Sequence, residues 1–184
     1  MMQLRAFARD TSGTATIEFV LVVPIVLLIF MASFESSLYM IRHVMMERSI
    51  DLVVRDIRLG KLDGLTHREL KESICERGAM VNSVEQCVDS MKIWMQPIST
   101  ASFAMVAPPR SCVDRSEPID PSAPEPAATE FKFGDDNEIM LLRICLKEEP
   151  MFPTTVIGAG LVADGEGDGN YALVTTSVFV NEPG

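Results

Sequence analysis

A run of 21 residues from Thr14 to Phe34 carries a single ionisable side chain, Glu18. Coiled as a helix it rises about 31 Å, the thickness of a bilayer's hydrocarbon core. That makes the N-terminal helix the part of the molecule whose chemistry can be argued first. A lone carboxylate near the start of a span is costly in lipid and asks for a functional partner. Pro24 lies inside the run and offers no N–H to the carbonyl of Val20, so a kink or local melting is expected there.

The chain of 184 residues is long enough for one compact unit, or at most two. Its formal net charge of −10 and pI near 4.6 argue against a nucleic-acid partner, because phosphate is repelled. Ahead of the span stand Arg5 and Arg9 against Asp10. This small positive excess favours a cytoplasmic N-terminus, with the acidic remainder outside the cytoplasm. All four cysteines, Cys75, Cys87, Cys112 and Cys145, then fall in a disulfide-permissive compartment. Three pairings are open to them. The favoured one joins Cys75 to Cys87 in a short local loop and lets Cys112–Cys145 tie a proline-rich excursion to a strand.

Residues 1–13 are short, polar and basic and read as a leader. From there one helix is expected over residues 14–59, about 70 Å long if unbroken. Its second half repeats apolar residues (Leu38, Ile41, Met45, Ile50, Val53, Val54, Ile57) at three- and four-residue spacing, with Asp51 and Arg55 placed to pair. Gly60 and Asp63-Gly64 supply stop signals. Residues 60–184 are expected to form an α+β head, a small antiparallel sheet packed on the helix. Within it, Thr66-His67-Arg68-Glu69 reads as a capping box opening a short helix that ends near Gly78, with Leu65 and Leu70 as a staple. Strands are expected at Asp89–Met95, Glu138–Lys147 and Tyr171–Val180, and a further one at Ser102–Val106. In the last of the three main strands, Ala172, Val174, Thr176, Val178 and Val180 share one face. Between residues 107 and 130 lie six prolines and few large apolar residues, so that stretch reads as a surface excursion.

No Ser/His/Asp or Cys/His set stands out, and no close CxxC spacing suggests zinc. No catalytic residue, metal ligand or cofactor is therefore expected. Asp164–Asn170 partly follows a calcium-loop pattern, but Thr175 occupies the place of the bidentate glutamate, and an acidic turn is the simpler reading. Gly158-Ala159-Gly160 is too short to be a dinucleotide loop.

The order Gly13-Thr14-Ala15-Thr16-Ile17-Glu18-Phe19, then VLVVPIVLLIF, then Phe34-Glu35, resembles the prepilin-type N-terminus. More closely, it resembles the TadE/TadF-like minor pseudopilins of the bacterial tight-adherence (Flp-type) pilus. The Asn181-Glu182-Pro183 ending and the strand Leu142–Lys147 before a Pro150–Pro153 loop are similar too. The resemblance implies cleavage after Gly13 by a prepilin peptidase, leaving Thr14 as the new terminus. Glu18 would then set helix register against the freed amine of a neighbouring subunit, with Phe19 and Pro24 belonging to the same assembly segment. It also implies an inner-membrane protein with a periplasmic head that passes to the pilus or cell surface, serving adhesion and biofilm formation. The implied partners are other minor pseudopilins, the major pilin, the assembly platform and membrane lipid. Major pilins of this kind are shorter and carry Tyr after the glutamate, which sets this chain apart from a shaft subunit. The competing reading is an uncleaved single-pass protein whose outer domain binds an envelope partner or ligand. A secreted domain with an ordinary signal peptide fits less well, since Glu18 interrupts the apolar region.

Overall fold

The computed structural model describes residues 13–62, 64–78, 83–104, 107–109, 111–113, 130–163 and 168–182. Helix α1 runs unbroken over Thr14–Arg58 with Pro24 inside it, so of the kink or local melting expected there the melting does not occur. It stops at Gly60, whose φ of 65° is the left-handed conformation that glycine adopts without a Cβ penalty. There the Gly60 N–H donates to the Ile57 carbonyl and the Lys61 N–H to that of Asp56, satisfying carbonyls the helix leaves open.

Helix α2 (His67–Gly78) opens on the expected capping box. The Thr66 N–H donates to Glu69 Oε2 at 2.8 Å, and the Glu69 N–H donates back to Thr66 Oγ1 at 3.3 Å. A third helix, α3 (Val84–Ser90), is capped by the Ser83 side chain accepting from Gln86 N–H. It occupies residues that alternation alone had assigned to the start of a strand. Strand β1 therefore begins later, at Met91, and reaches Ile98. It is followed by β2 (Ile139–Glu148), helix α4 (Val156–Ala163) and β3 (Tyr171–Val180). The described part of the anticipated strand at 102–106 is instead a turn. Phe103 has a φ of 52° and donates its N–H to the Ser99 carbonyl at 2.7 Å.

The strands form one antiparallel sheet in the order β1-β2-β3, with Ile144 facing Ile93 on one side and Thr175 on the other. One sheet face lies on α1 and α2. Its core joins Met46, Ile50, Val53 and Ile57 of α1 to Leu70 and Ile74 of α2, and to Met91, Ile93, Met95, Met140, Leu142, Ile144, Leu146, Leu173 and Phe179 of the sheet. The α+β architecture is thus as the sequence suggests. Two details differ. The shared aliphatic face of β3 points away from α1, because Tyr171, Leu173 and Phe179 take the inner positions; Val178 is 59 % exposed. Among the described residues no ion pair joins Asp51 and Arg55; Asp56 instead pairs with Arg77 at 2.7 Å and Lys61 at 3.4 Å.

The cystines are Cys75–Cys87, linking α2 to α3, and Cys112–Cys145, fastening the start of the proline-rich excursion onto β2. Nearby, Arg143 Nη1 donates to the Pro109 carbonyl at 2.7 Å, and Trp94 and Leu141 are buried on this outer side. Most of the excursion, with residues 114–129, lies outside the described residues, as does the leader through residue 12.

Candidate functional site: the N-terminal helix and its junction with the head

Helix α1 has two surfaces of different character. From Ile17 to Phe30 its large apolar side chains are exposed on all sides, and none of this segment is covered by the head. Among the described residues it is the one helix long and apolar enough to cross a membrane. Gly13 sits at its N-cap with φ −88° and ψ −11°, its carbonyl accepting from Ile17 N–H at 3.3 Å. A Cβ at Gly13 would meet nothing within 4 Å among the described residues. Thr14 begins the helix proper. Glu18 and Phe19 are exposed, and Glu18 has no hydrogen-bond or ionic partner among the described residues. The chain's fold therefore does not supply the counter-charge that Glu18 requires in lipid.

Past Phe34 the helix becomes two-faced. Glu35, Met46, Ser49, Ile50, Val53, Val54 and Ile57 turn inward and are buried. On the opposite side Met40, Ile41, Val44 and Met45 stay exposed, Met40 at 60 % and Val44 at 61 %. Of the apolar repeat expected to cover the head, Ile41 and Met45 therefore belong to the outer stripe. Tyr39, Arg42 and Met46 carry the buried side between Glu35 and Ser49.

The junction between the two halves is built from charged groups. Glu35 is fully buried and accepts from the Phe152 backbone N–H at 2.8 Å, while the Phe34 and Phe152 rings meet edge to face, centroids 6.2 Å apart. Two helical turns on, Arg42 faces the same side. Its Nη1 donates to the Tyr171 hydroxyl at 2.5 Å and to the Glu149 carbonyl at 3.1 Å, and lies 3.7 Å from Glu148 Oε2. Burial opposes the Arg42 charge, but the Tyr171 hydrogen bond and the carboxylates of Glu148 and Glu35 outweigh it and hold the guanidinium above its usual value. Tyr171 is pushed up by burial, only partly offset by Arg42, so the phenol stays neutral. The result clamps α1 to the β2–α4 loop and the start of β3. Sequence reasoning noticed Glu35 only as part of a motif and missed Arg42, Glu148 and Tyr171. The available signal was the seven-residue spacing of Glu35 and Arg42, which puts two opposite charges on the helix face that then continues as core.

The residues expected to mark processing and register (Gly13, Thr14, Glu18, Phe19, Pro24) all lie on the first three turns or so of α1, far along the helix from the four cysteines. Asp168, the described part of the acidic glycine-rich loop, is engaged by Lys147 Nζ at 3.3 Å, both side chains being buried. Among the described residues no cluster of His, Cys, Asp and Glu could hold a metal ion.

Residues 13–49 match the family model described as TadE-like protein. Over those residues the chain is similar to TadE-like proteins. The matched stretch begins at the candidate processing glycine and ends where α1 has entered the core, so it covers the exposed span and the Glu35–Arg42 clamp together. The matched stretch lies in the one helix that, among the described residues, is long and apolar enough to cross a membrane. Comparison of the chain with curated proteins and with solved structures gives no significant match.

Proposed function

We propose that this chain is a minor pseudopilin of a tight-adherence pilus: leader 1–13, helix 14–59, and an extracytoplasmic head over 60–184. It is inserted in the inner membrane with its N-terminus in the cytoplasm, cleaved by a prepilin peptidase between Gly13 and Thr14, and drawn into the pilus by helix packing. The head contacts sister pseudopilins and the assembly platform, and the role is assembly rather than catalysis.

The observation that carries this reading is the stripe Met40, Ile41, Val44 and Met45. A single-pass anchor needs apolar surface only as far as the lipid reaches. Here the apolar surface continues beyond the head junction, on the side the head leaves bare. Parallel helices packed in a filament would bury it, together with the span below. In such a stack Glu18 would meet the new α-ammonium of a neighbouring Thr14. Each charge is expensive alone in a low-dielectric core, and their pairing offsets much of that cost, which specifies axial register. Glycine at the cleavage position leaves the scissile backbone unobstructed.

The test is N-terminal sequencing of native protein from cells with and without the prepilin peptidase. Thr14 is the expected first residue when the peptidase is present, with residues 1–13 retained when it is absent. Retention of the leader in both strains would favour the uncleaved single-pass protein. A Glu18→Ala variant is expected to insert in the membrane yet fail to support pilus production; undiminished pili would remove the register role.

A further inference from the structure

Between Pro150 and Ala163 the chain has fourteen residues without a charge, flanked by Glu148-Glu149 and by Asp164. Helix α4 fills most of it with the sequence VIGAGLVA. A helix this apolar is ordinarily buried on most sides. Here only Gly158 is fully covered; Val156 is 90 % exposed, and Met151, Ile157, Ala159 and Gly160 are also open. The position of this largely exposed helix is set by Leu161, which packs against the core, and by two contacts already described. The Phe152 ring rests on Phe34, the last residue of the apolar run, and the Phe152 N–H is held by Glu35. Gly158 locks α4 onto this loop, its N–H donating to Thr155 Oγ1 at 3.1 Å and its Cα pressed against the Phe152 carbonyl. The patch therefore sits at the level where α1 emerges from its apolar span.

We propose that α4, with Met151, is a membrane-seated foot, lying in the acyl–headgroup boundary of the same bilayer that α1 crosses. This rests on the membrane-spanning reading of α1. The occupant is lipid because the patch is continuous, through Phe152 and Phe34, with the surface of α1 that lipid already covers. Two of the nearby acids are turned to the head, Glu148 facing Arg42 and Asp168 facing Lys147, while the exposed Glu149 stands at the edge of the patch. With a strongly acidic chain, attraction to anionic headgroups has no part, so attachment comes from apolar insertion a few ångströms deep, on the order of 5–10 Å. A second attachment point beside the span would fix how the head tilts and turns on its helix. It would have to be withdrawn before the subunit leaves the membrane.

The experiment uses the full chain in phosphatidylcholine vesicles containing lipid brominated near the headgroup end of the acyl chains. Trp94 is the only tryptophan and is buried in the head, so the wild-type protein sets the baseline emission. Val156→Trp is expected to add a blue-shifted emission that the brominated lipid quenches and aqueous iodide does not. Emission that is red-shifted and iodide-quenched, while a Phe30→Trp variant is quenched by the lipid, would overturn the foot and leave the span standing. Position 156 shielded from both quenchers at high protein-to-lipid ratio, but open to iodide on dilution, would overturn it in favour of a contact between copies. If Phe30→Trp also escapes the lipid quencher, the membrane reading itself fails and the foot with it.

Discussion

Replacing Arg42 by alanine tests whether the junction clamp holds the head on α1. The Arg42 side chain is 22 % exposed and that of Glu148 only 8 %, so their 3.7 Å approach is shielded from water but not sealed. Removing the guanidinium deletes a charge-assisted hydrogen bond to Tyr171 and another to the Glu149 carbonyl. It also leaves the buried carboxylates of Glu35 and Glu148 without their nearest shared cation. Breaking a fully buried pair costs roughly 3–5 kcal/mol; discounting for the solvent contact gives about 2–4 kcal/mol. Tyr171→Phe removes one hydrogen bond and should cost about 1 kcal/mol. Arg42→Lys keeps the charge without the fork and should fall between the two. The assay is urea unfolding of the full chain in detergent micelles, followed by the emission of Trp94, which is 2 % exposed in the folded head. The double variant Arg42→Ala/Tyr171→Phe should be less destabilised than the sum of the singles, because both remove the same bond. An Arg42→Ala protein within about 0.5 kcal/mol of wild type would refute the clamp, since that is the scatter of surface substitutions.

His67 packs on the Phe131 ring at 5.1 Å, and burial, helped by Lys71, pulls its pKa down to about 4. The unfolded chain then binds a proton at higher pH than the folded one, so stability should fall as pH drops from about 6.5 toward 4, by roughly 1–2 kcal/mol. His67→Phe should flatten that slope in pH-dependent unfolding; an unchanged slope would assign it to other groups. A Cβ at Gly158 would strike the Phe152 carbonyl, so Gly158→Ala should cost about 1–3 kcal/mol and accelerate amide exchange over residues 150–163, read by mass spectrometry. Exchange indistinguishable from wild type there would show that α4 is not held by that contact. The cystines close loops with sequence separations of 12 and 33, for which chain entropy gives about 3 and about 4 kcal/mol. Hence Cys112→Ser/Cys145→Ser should be the more destabilised of the two double variants, and the reverse order would point to native-state strain.

Much of this molecule is local, and local features are legible in a string of residues. The unbroken apolar run, the Gly60 stop, the Thr66–Glu69 cap and the alternation of β2 each depend on neighbours within a few positions. So α1, the start of α2 and the central strand were readable from spacing. The segments that read wrongly are those where tertiary contacts overrode spacing. The short helix capped by Ser83 takes Asp89 and Ser90 from the expected strand, and β3 turns its tyrosine, leucine and phenylalanine inward, leaving the valines outside. That α1 is long and apolar enough to cross a membrane followed from composition alone, because length and hydropathy are properties of the run itself. What its charged residues do was decided only by the fold. Glu18 and Glu35 bracket the same apolar segment and look alike in sequence. One is left bare because no part of the head reaches it, and the other is buried where the Phe152 loop and the start of β3 meet α1. Burial is a property of what packs from elsewhere in the chain, and spacing along one helix does not contain it.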